Sequence, residues 1–188
     1  MLEKKKILRK IIKVRVSAIS ADEKAKREKL LLDNLFSMPE FVAAKSLMLF
    51  ANLPDEIGTF SLIDKCIAMG KKVFLPVING DDMTVAEFTG TYRVGRYEIK
   101  EPITPNSSLL FPNGHQHVLT PNSIDFVLVP GVAFSPNGYR LGRGKGYYDK
   151  FLSKYSNLFT VGVCFREQFY LDIPTEPHDI PMQRVIVC

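Results

Sequence analysis

The stretch from residue 124 to residue 134, which reads IDFVLVPGVAF, constrains the fold of this chain more than any other. It is rich in apolar and β-branched residues, and its apolar side chains do not alternate with polar ones. This pattern is typical of a strand that is buried on both faces, as the central strand of a parallel sheet is. The stretch therefore predicts the centre of a sheet.

Other apolar segments supply the rest of this sheet, and helical segments alternate with them. Further strands are predicted at residues 46–51, 72–78, 83–88, 159–165 and 184–188. Helices are predicted at residues 2–16, 21–38, 60–69 and 146–155, with a short helical turn at 39–44. Strands that alternate with helices predict an α/β fold with a mainly parallel central sheet.

The predicted helices carry local signals at their surfaces and ends. In the first helix, one face is apolar and another is basic; the apolar face holds Ile7, Leu8, Ile11 and Ile12, and the basic face holds Lys5, Arg9 and Lys13. Ser20 and Glu23 have the spacing of a capping box, and Thr59 is expected to cap the helix that follows it.

Length and composition predict one domain that spans residues 1–188. Hydrophobic residues make up 46% of the chain and charged residues 24%, a balance that is ordinary for globular proteins and argues against disorder. No internal repeat divides the chain, and no linker does so. We expect a monomer.

The sequence favours a cytoplasmic protein with no membrane partner. Apolar runs without a charge, such as Leu47–Pro54, are far too short for a membrane span, and the N-terminus lacks the apolar core of a signal peptide. Cys66, Cys164 and Cys188 are odd in number and far apart. They predict free buried thiols, and support neither a disulfide framework nor a zinc site.

The formal net charge of +5 is unevenly distributed. Residues 1–30 hold eleven Lys and Arg residues against four acids, whereas residues 31–188 hold fourteen against sixteen. The basic character therefore belongs to the N-terminal segment. Such a segment can serve a nucleic acid, a membrane surface or a small polyanion, and charge alone does not choose among them.

A second concentration of positive charge lies in residues 140–151, RLGRGKGYYDKF, between the central strand and a helix. Ligands of such sheets collect beyond the carboxyl ends of the strands. Glycines there let backbone N–H groups approach an anion, and the start of the helix adds its dipole. Arg143 and Lys145 can bind phosphate oxygens, and Asp149 can hold Mg²⁺. The loop predicts a phosphate site.

The spacing of this loop excludes the two commonest phosphate-binding motifs. No Ser or Thr follows Lys145, as a Walker A loop requires, and the third glycine comes too early for a dinucleotide-binding fingerprint. A solvated basic turn is the alternative interpretation. The combination of a strand, three glycines, three cations and an acid favours the phosphate site over it.

Three further candidates are weaker when each is taken alone. Lys5 and Arg9, one helical turn apart, can reach a polyphosphate or can form a solvated face. Glu56 follows the first strand at the edge where ligands bind, although its loop is also typical of a turn with a helix cap. His178 and Asp179 suggest a dyad, but no nucleophile motif accompanies them.

These features together resemble a known family. The stretch LVPGVAFSPNGYRLGRGKGYYDKFL, residues 128–152, is similar to the signature of 5-formyltetrahydrofolate cyclo-ligase, also called methenyltetrahydrofolate synthetase. The likeness extends to Lys5–Arg9, to the Asp55-Glu56 loop and to the His178-Asp179 loop, in the order and spacing of the family. The resemblance implies a single-domain α/β fold of the NagB/RpiA/CoA transferase-like type, with helices on both faces of the sheet.

The resemblance also implies an activity. ATP would phosphorylate the formyl oxygen of 5-formyltetrahydrofolate, N10 would attack the resulting iminium phosphate, and loss of phosphate would give 5,10-methenyltetrahydrofolate and ADP. ATP would be a co-substrate and Mg²⁺ the metal. The alternatives are a general nucleotide- or phosphate-binding protein and an RNA-binding protein. The RNA-binding hypothesis is disfavoured because residues 31–188 are net acidic, so no nucleic-acid partner is expected.

Carried over by position, the resemblance assigns roles to individual residues. The catalytic residues would be Arg143, Lys145 and Tyr147. The ATP-binding residues would be Lys5, Lys6, Arg9, Arg140, Leu141, Gly142, Arg143, Gly144, Lys145, Gly146, Tyr147 and Tyr148. The folate-binding residues would be Ala51, Glu56, Tyr97, Arg143, Gly144, Lys145, Gly146 and Tyr147. Mg²⁺ would be held by Asp149 and Asp179.

Two positions depart from the family pattern. Gln183 stands where the family commonly has an acid, which raises the question of whether the metal site lacks one carboxylate. Ala51 stands where other members have a larger residue, which affects the shape of the folate pocket.

Overall fold

The computed structural model of the chain describes residues 1–95, 100–103, 124–155 and 157–188. The helices in these ranges are α1 (Leu2–Ser17), α2 (Ala21–Phe36), α3 (Pro39–Ala43), α4 (Phe60–Ala68) and α5 (Tyr147–Lys154). The strands are β1 (Ser46–Met48), β2 (Lys72–Asn79), β3 (Asp82–Glu87), β4 (Tyr92–Val94), β5 (Lys100–Pro102), β6 (Phe126–Val129), β7 (Ala133–Phe134), β8 (Arg140–Leu141), β9 (Phe159–Cys164) and β10 (Arg184–Val187).

Six of these strands form the central sheet, in the order β10-β9-β6-β1-β2-β3. All neighbours are parallel except β3, which runs antiparallel to β2 at the edge. Every residue of β6 is buried, and β6 lies between β1 and β9. The prediction of a mainly parallel sheet is confirmed, and residues 126–129 of the predicted central stretch lie at its centre, whereas residues 133–134 form β7, which pairs with β8 in a separate two-stranded sheet.

Helices cover both faces of the sheet, as expected. Because side chains of a strand alternate between faces, each strand contributes to two cores. Phe126 and Leu128 of β6 pack in the core that includes residues of α1, α2 and α4. Val127 and Val129 pack in the core that includes Phe151 of α5.

The apolar face of α1 was predicted correctly at Ile12, which is buried, and at Leu8, which packs against the core, but wrongly at Ile7 and Ile11. Its buried residues are Lys5, Ile12 and Val16. Ile7 and Ile11 are instead 50% and 44% exposed. Lys5, which was predicted on the basic face, is buried and makes hydrogen bonds with partners near the C-terminus of the chain, as described below.

Local capping was predicted correctly at one helix and wrongly at another. The Ser20 hydroxyl accepts a hydrogen bond from the backbone N–H of Glu23, which confirms the start of α2. The Thr59 side chain does not cap α4; its hydroxyl donates to the carbonyl of Phe50 instead. Strand β1 also ends at Met48, three residues earlier than predicted. Residues 49–59 therefore form a loop that Thr59 ties to its own beginning.

The three cysteines are free and buried, as predicted. None of the helices in the described part of the chain has the length and apolar character that crossing a membrane requires.

We expect that Gly138, the glycine of the β7–β8 hairpin, does not tolerate a side chain. Its φ is +81°, and a Cβ there would lie 2.2 Å from the carbonyl oxygen of Met182. We expect Gly138→Ala to lower the free energy of unfolding by about 3 kcal/mol or more, measured by urea unfolding.

Gly70→Ala is the matched control for this substitution. Gly70 has a similar φ of +75°, but a Cβ there would meet no atom within 4 Å. Only the backbone cost remains, and we expect a loss of about 1 kcal/mol. Equal losses for the two variants would show that the contact with Met182 has no role.

Candidate functional site

The glycine-rich loop, residues 142–146, connects β8 to α5. Two of its residues have left-handed backbone conformations, with φ of +99° at Gly144 and +68° at Gly146. A Cβ at Gly144 would also lie 3.6 Å from the guanidinium of Arg9. The loop therefore follows a path that favours glycine, and it passes close to the N-terminal helix.

Helix α1 brings the predicted N-terminal cations to this loop and to a second one. The Arg9 Nε donates a hydrogen bond to the carbonyl of Gly142 at 2.8 Å. One turn earlier, the Lys5 Nζ donates to Glu176 at 2.9 Å and to Asp179 at 3.0 Å. Lys5 is buried, whereas Lys6 is exposed. Arg9 thus lies at the predicted phosphate loop, and Lys5 lies at the His178-Asp179 loop.

Arg140, Tyr148 and Asp149 form a buried group beneath the glycine-rich loop. The Arg140 guanidinium lies 2.8 Å from a carboxylate oxygen of Asp149 and 5.5 Å from the centre of the Tyr148 ring. The Tyr148 hydroxyl is buried and, within the described residues, has no hydrogen-bond partner. Burial raises the pKa of Tyr148, so the hydroxyl keeps its proton. It is a hydrogen-bond donor with no acceptor among the described residues.

The start of α5 is tied to the turn between β2 and β3. The Tyr147 hydroxyl donates to the carbonyl of Gly80 at 3.3 Å. The Lys150 Nζ donates to the carbonyl of Asp81 at 3.0 Å. Lys145 is exposed in the loop that precedes the helix. These contacts join the first turn of α5 to the β2–β3 turn.

Glu56 and Arg143 join the loop after β1 to the glycine-rich loop. The Arg143 Nη2 lies 2.9 Å from Glu56 and 2.6 Å from Asp55. The Glu56 side chain is 9% exposed, and its other oxygen accepts a hydrogen bond from the backbone N–H of Leu53. Burial raises the pKa of Glu56, although the charge of Arg143 opposes this shift. The two loops therefore meet through a partly buried ion pair.

Three side chains of the C-terminal loop could together hold a metal ion. Ligand atoms of Glu176, His178 and Asp179 all lie within 4.8 Å of one another. Burial opposes ionisation of Asp179, but hydrogen bonds from Lys5 and from the Glu176 backbone outweigh it and lower its pKa. Asp179 is therefore a carboxylate at neutral pH.

The two residues assigned to Mg²⁺ lie in neighbouring segments. Asp149 is not part of the three-residue group, but its carboxylate lies 3.4 Å from the backbone nitrogen of Ile180, the residue after Asp179. Carboxylate oxygens are the ligands that Mg²⁺ takes, so the residues present fit this ion. Each carboxylate also has a cationic partner, Arg140 for Asp149 and Lys5 for Asp179.

Three other positions that were named from the sequence are Tyr97, Ala51 and Gln183. Tyr97 falls outside the described residues. Ala51 is buried in the loop after β1. The Gln183 side chain accepts a hydrogen bond from the backbone N–H of Thr160 at 2.7 Å, at the start of β9. The Gln183 side chain is therefore engaged at the amino end of β9.

Glu176 is a site residue that the sequence-based assignment missed. It lies in the same proline-framed stretch as His178 and Asp179, PTEPHDIP, so its position along the chain was a usable signal. Its contact with Lys5 spans 171 positions of sequence, and no local pattern predicts such a pairing.

Comparisons with known proteins agree on one family. A model of the 5-formyltetrahydrofolate cyclo-ligase family matches residues 1–188. The probable 5-formyltetrahydrofolate cyclo-ligase of Schizosaccharomyces pombe is 34% identical over 165 residues, which cover 79% of this chain and 78% of the relative. The 5-formyltetrahydrofolate cyclo-ligase of Mus musculus is 27% identical over 197 residues, which cover 97% and 92%.

A solved structure extends this similarity to three dimensions. The NMR structure of Aquifex aeolicus 5,10-methenyltetrahydrofolate synthetase matches with a TM-score of 0.80 at 29% identity. The match covers 97% of this chain and 89% of that one.

Proposed function

Because the chain belongs to the 5-formyltetrahydrofolate cyclo-ligase family and is a ligase of that kind, we propose that it uses ATP and Mg²⁺ to convert 5-formyltetrahydrofolate into 5,10-methenyltetrahydrofolate. In this reaction the γ-phosphoryl group passes to the formyl oxygen and ADP leaves. N10 then attacks the formyl carbon and loses its proton. The formyl oxygen departs with the phosphate as the ring closes.

One observation carries the proposal: Arg143 joins the glycine-rich loop to the buried carboxylate of Glu56, at 2.9 Å. A phosphate loop and a carboxylate suited to pterin N–H groups are therefore side by side. The reaction needs this arrangement, since the phosphoryl group passes directly from one substrate to the other.

The glycine-rich loop supplies the groups that bind the phosphates. Backbone N–H groups of Gly142, Gly144 and Gly146 can approach the triphosphate closely, and Lys145 adds a charge. Arg9 already contacts the loop at the Gly142 carbonyl. The buried Tyr148 hydroxyl is a further donor. Phosphoryl transfer depends mainly on such positioning and charge neutralisation.

Glu56 is the residue that would orient the folate. Its carboxylate can accept hydrogen bonds from the amino group and ring N–H of a pterin. A pterin bound there would compete with Arg143 for the carboxylate, which would free Arg143 for the phosphates or for the formyl oxygen. Tyr147, held at Gly80, lies at the end of the loop where the two substrates would meet.

Asp149 and Asp179 are the residues that would hold Mg²⁺. When bound, the ion would neutralise charge on the phosphate oxygens. Arg140 keeps the Asp149 carboxylate in place beside the backbone of Ile180.

The test is an assay with the purified protein, Mg-ATP and 5-formyltetrahydrofolate. We expect the near-ultraviolet absorbance of the methenyl product to appear, with one ADP released for each ring closed. Omission of ATP or chelation of Mg²⁺ should abolish the signal. ATP hydrolysis that does not depend on folate, with no methenyl product, would contradict the proposed activity.

A further inference from the structure

Lys5 is a buried cation whose partners are not those that a phosphate-binding role requires. It is 7% exposed, and its ammonium lies 2.9 Å from a carboxylate oxygen of Glu176 and 3.0 Å from one of Asp179. Burial disfavours the charged ammonium, but these two carboxylates outweigh burial and raise the pKa of Lys5. In this structure the ammonium is therefore paired with both carboxylates.

One of these carboxylates is also a residue that would hold Mg²⁺. Asp179 Oδ2 accepts from Lys5, and Glu176 Oε2 accepts from the same ammonium. A divalent cation that approaches these oxygen atoms would meet the positive charge of Lys5 among them. The two carboxylates and the ammonium together have a net charge of about −1; once the ammonium leaves, the carboxylates carry about −2 and attract a divalent cation.

Phosphates bound at the glycine-rich loop would be a second partner for Lys5. Arg9, one turn further along α1, already contacts this loop. Residues one turn apart share a helix face, so the flexible side chain of Lys5 needs only a change of rotamer to turn towards phosphates bound at that loop.

We propose that the Lys5 ammonium and the metal ion are alternative partners of the Asp179 carboxylate, and that Lys5 leaves Glu176 and Asp179 for the nucleotide phosphates when the metal enters. Glu176 is then the positioning residue that holds Lys5 in the nucleotide-free protein. This inference rests on the proposed function for its nucleotide and its metal.

The exchange couples the two ligands in a defined way. Without nucleotide, Lys5 competes with the metal. With nucleotide present, Lys5 has a new partner, and the metal and the nucleotide favour one another. Coupling of this kind is reciprocal, so nucleotide must raise metal affinity by the same factor by which metal raises nucleotide affinity.

Lys5→Met tests the exchange because it keeps the length of the side chain and removes the charge. We expect this variant to bind Mn²⁺ alone about tenfold more tightly than the wild type, and Mn-ADP about tenfold more weakly, as the loss of one charged hydrogen bond predicts. Paramagnetic resonance of free Mn²⁺ measures the first quantity, and calorimetry with ADP at saturating Mn²⁺ measures the second.

Lys4→Met is the matched control, since Lys4 is exposed on the same helical turn and carries the same charge. It should leave Mn²⁺ affinity within about twofold of the wild type, because solvent screens exposed charges. Unchanged Mn²⁺ affinity in Lys5→Met, or an equal gain in Lys4→Met, would overturn the exchange. If Lys5→Met does not fold, as judged by circular dichroism, Lys5→Gln replaces it.

A measurement on the wild-type protein needs no substitution. Hydrogen exchange of the first turns of α1 should be slowed by Mn²⁺ with ADP, but not by Mn²⁺ alone, which removes a partner of Lys5 without supplying another. Equal protection in both conditions would contradict the proposal. If the protein is inactive but shows the Mn²⁺ effects, the proposed reaction is refuted and the exchange is supported. If the protein is active but does not show them, the exchange is refuted and the reaction is supported.

Discussion

Replacement of Lys145 by alanine is expected to lower kcat by about 10³-fold and to leave the protein folded. Lys145 is exposed and lies between Gly144 and Gly146, whose positive φ values are independent of its side chain. Its loss therefore removes positive charge from the phosphate loop without opening a cavity. Steady-state assay of methenyl product measures the loss of rate, and thermal unfolding checks the fold.

Lys150→Ala is the control for the Lys145 variant. Lys150 is also an exposed lysine, in the first turns of α5, and its ammonium contacts the carbonyl of Asp81. The substitution removes the same charge from the same region, but Lys150 does not belong to the glycine-rich loop. We expect a change in kcat of less than about threefold. Comparable losses in the two variants would mean that Lys145 contributes only to the general positive potential.

The second large effect is expected at Glu56. We predict that Glu56→Gln lowers kcat/KM for 5-formyltetrahydrofolate by about 10²- to 10³-fold. The amide keeps the shape of the side chain, but it replaces one acceptor oxygen with a donor that a pterin amino group cannot use. The affinity for ADP should stay within a few-fold of the wild type, because the phosphates bind at the other loop.

Asp55 provides a close comparison, because both acids pair with Arg143. The Asp55 side chain is 36% exposed, against 9% for Glu56. An exposed ion pair contributes little, so Asp55→Asn should change kcat/KM less than about fivefold. If Asp55→Asn and Glu56→Gln had equal effects, the role of Glu56 would lie in holding Arg143 and not in binding folate.

Features that depend on local pattern were predictable from the sequence. The unbroken apolar run around β6 predicted the centre of the sheet, because a strand buried on both faces needs apolar side chains throughout. The glycine-rich loop was predicted to lead into a helix, and α5 does follow residues 142–146; the phosphate site at this loop stays a prediction. The position of Glu56 after β1 placed it at the same edge, and the structure joins it to Arg143.

Features that depend on distant partners were not predictable. The hydrophobic pattern of α1 favoured Ile7 and Ile11 as buried residues, yet both are exposed and Lys5 is buried. Two acids near the other end of the chain compensate the charge of Lys5. Thr59 has the residue type of a cap, but its hydroxyl donates a hydrogen bond to the carbonyl of Phe50, nine positions earlier in the loop after β1. In both cases a tertiary contact outweighs the local preference.

The contact between Lys5 and Asp179 spans 174 positions of sequence, and it has a consequence for biosynthesis. During translation the N-terminal helix leaves the ribosome long before the acids that compensate its buried lysine. The nascent chain can already contain Arg9 and the Gly142 carbonyl that it contacts, but Lys5 has neither of its carboxylate partners until residues 176 and 179 have been made. A chain that stops before residue 176 therefore leaves Lys5 without either compensating charge.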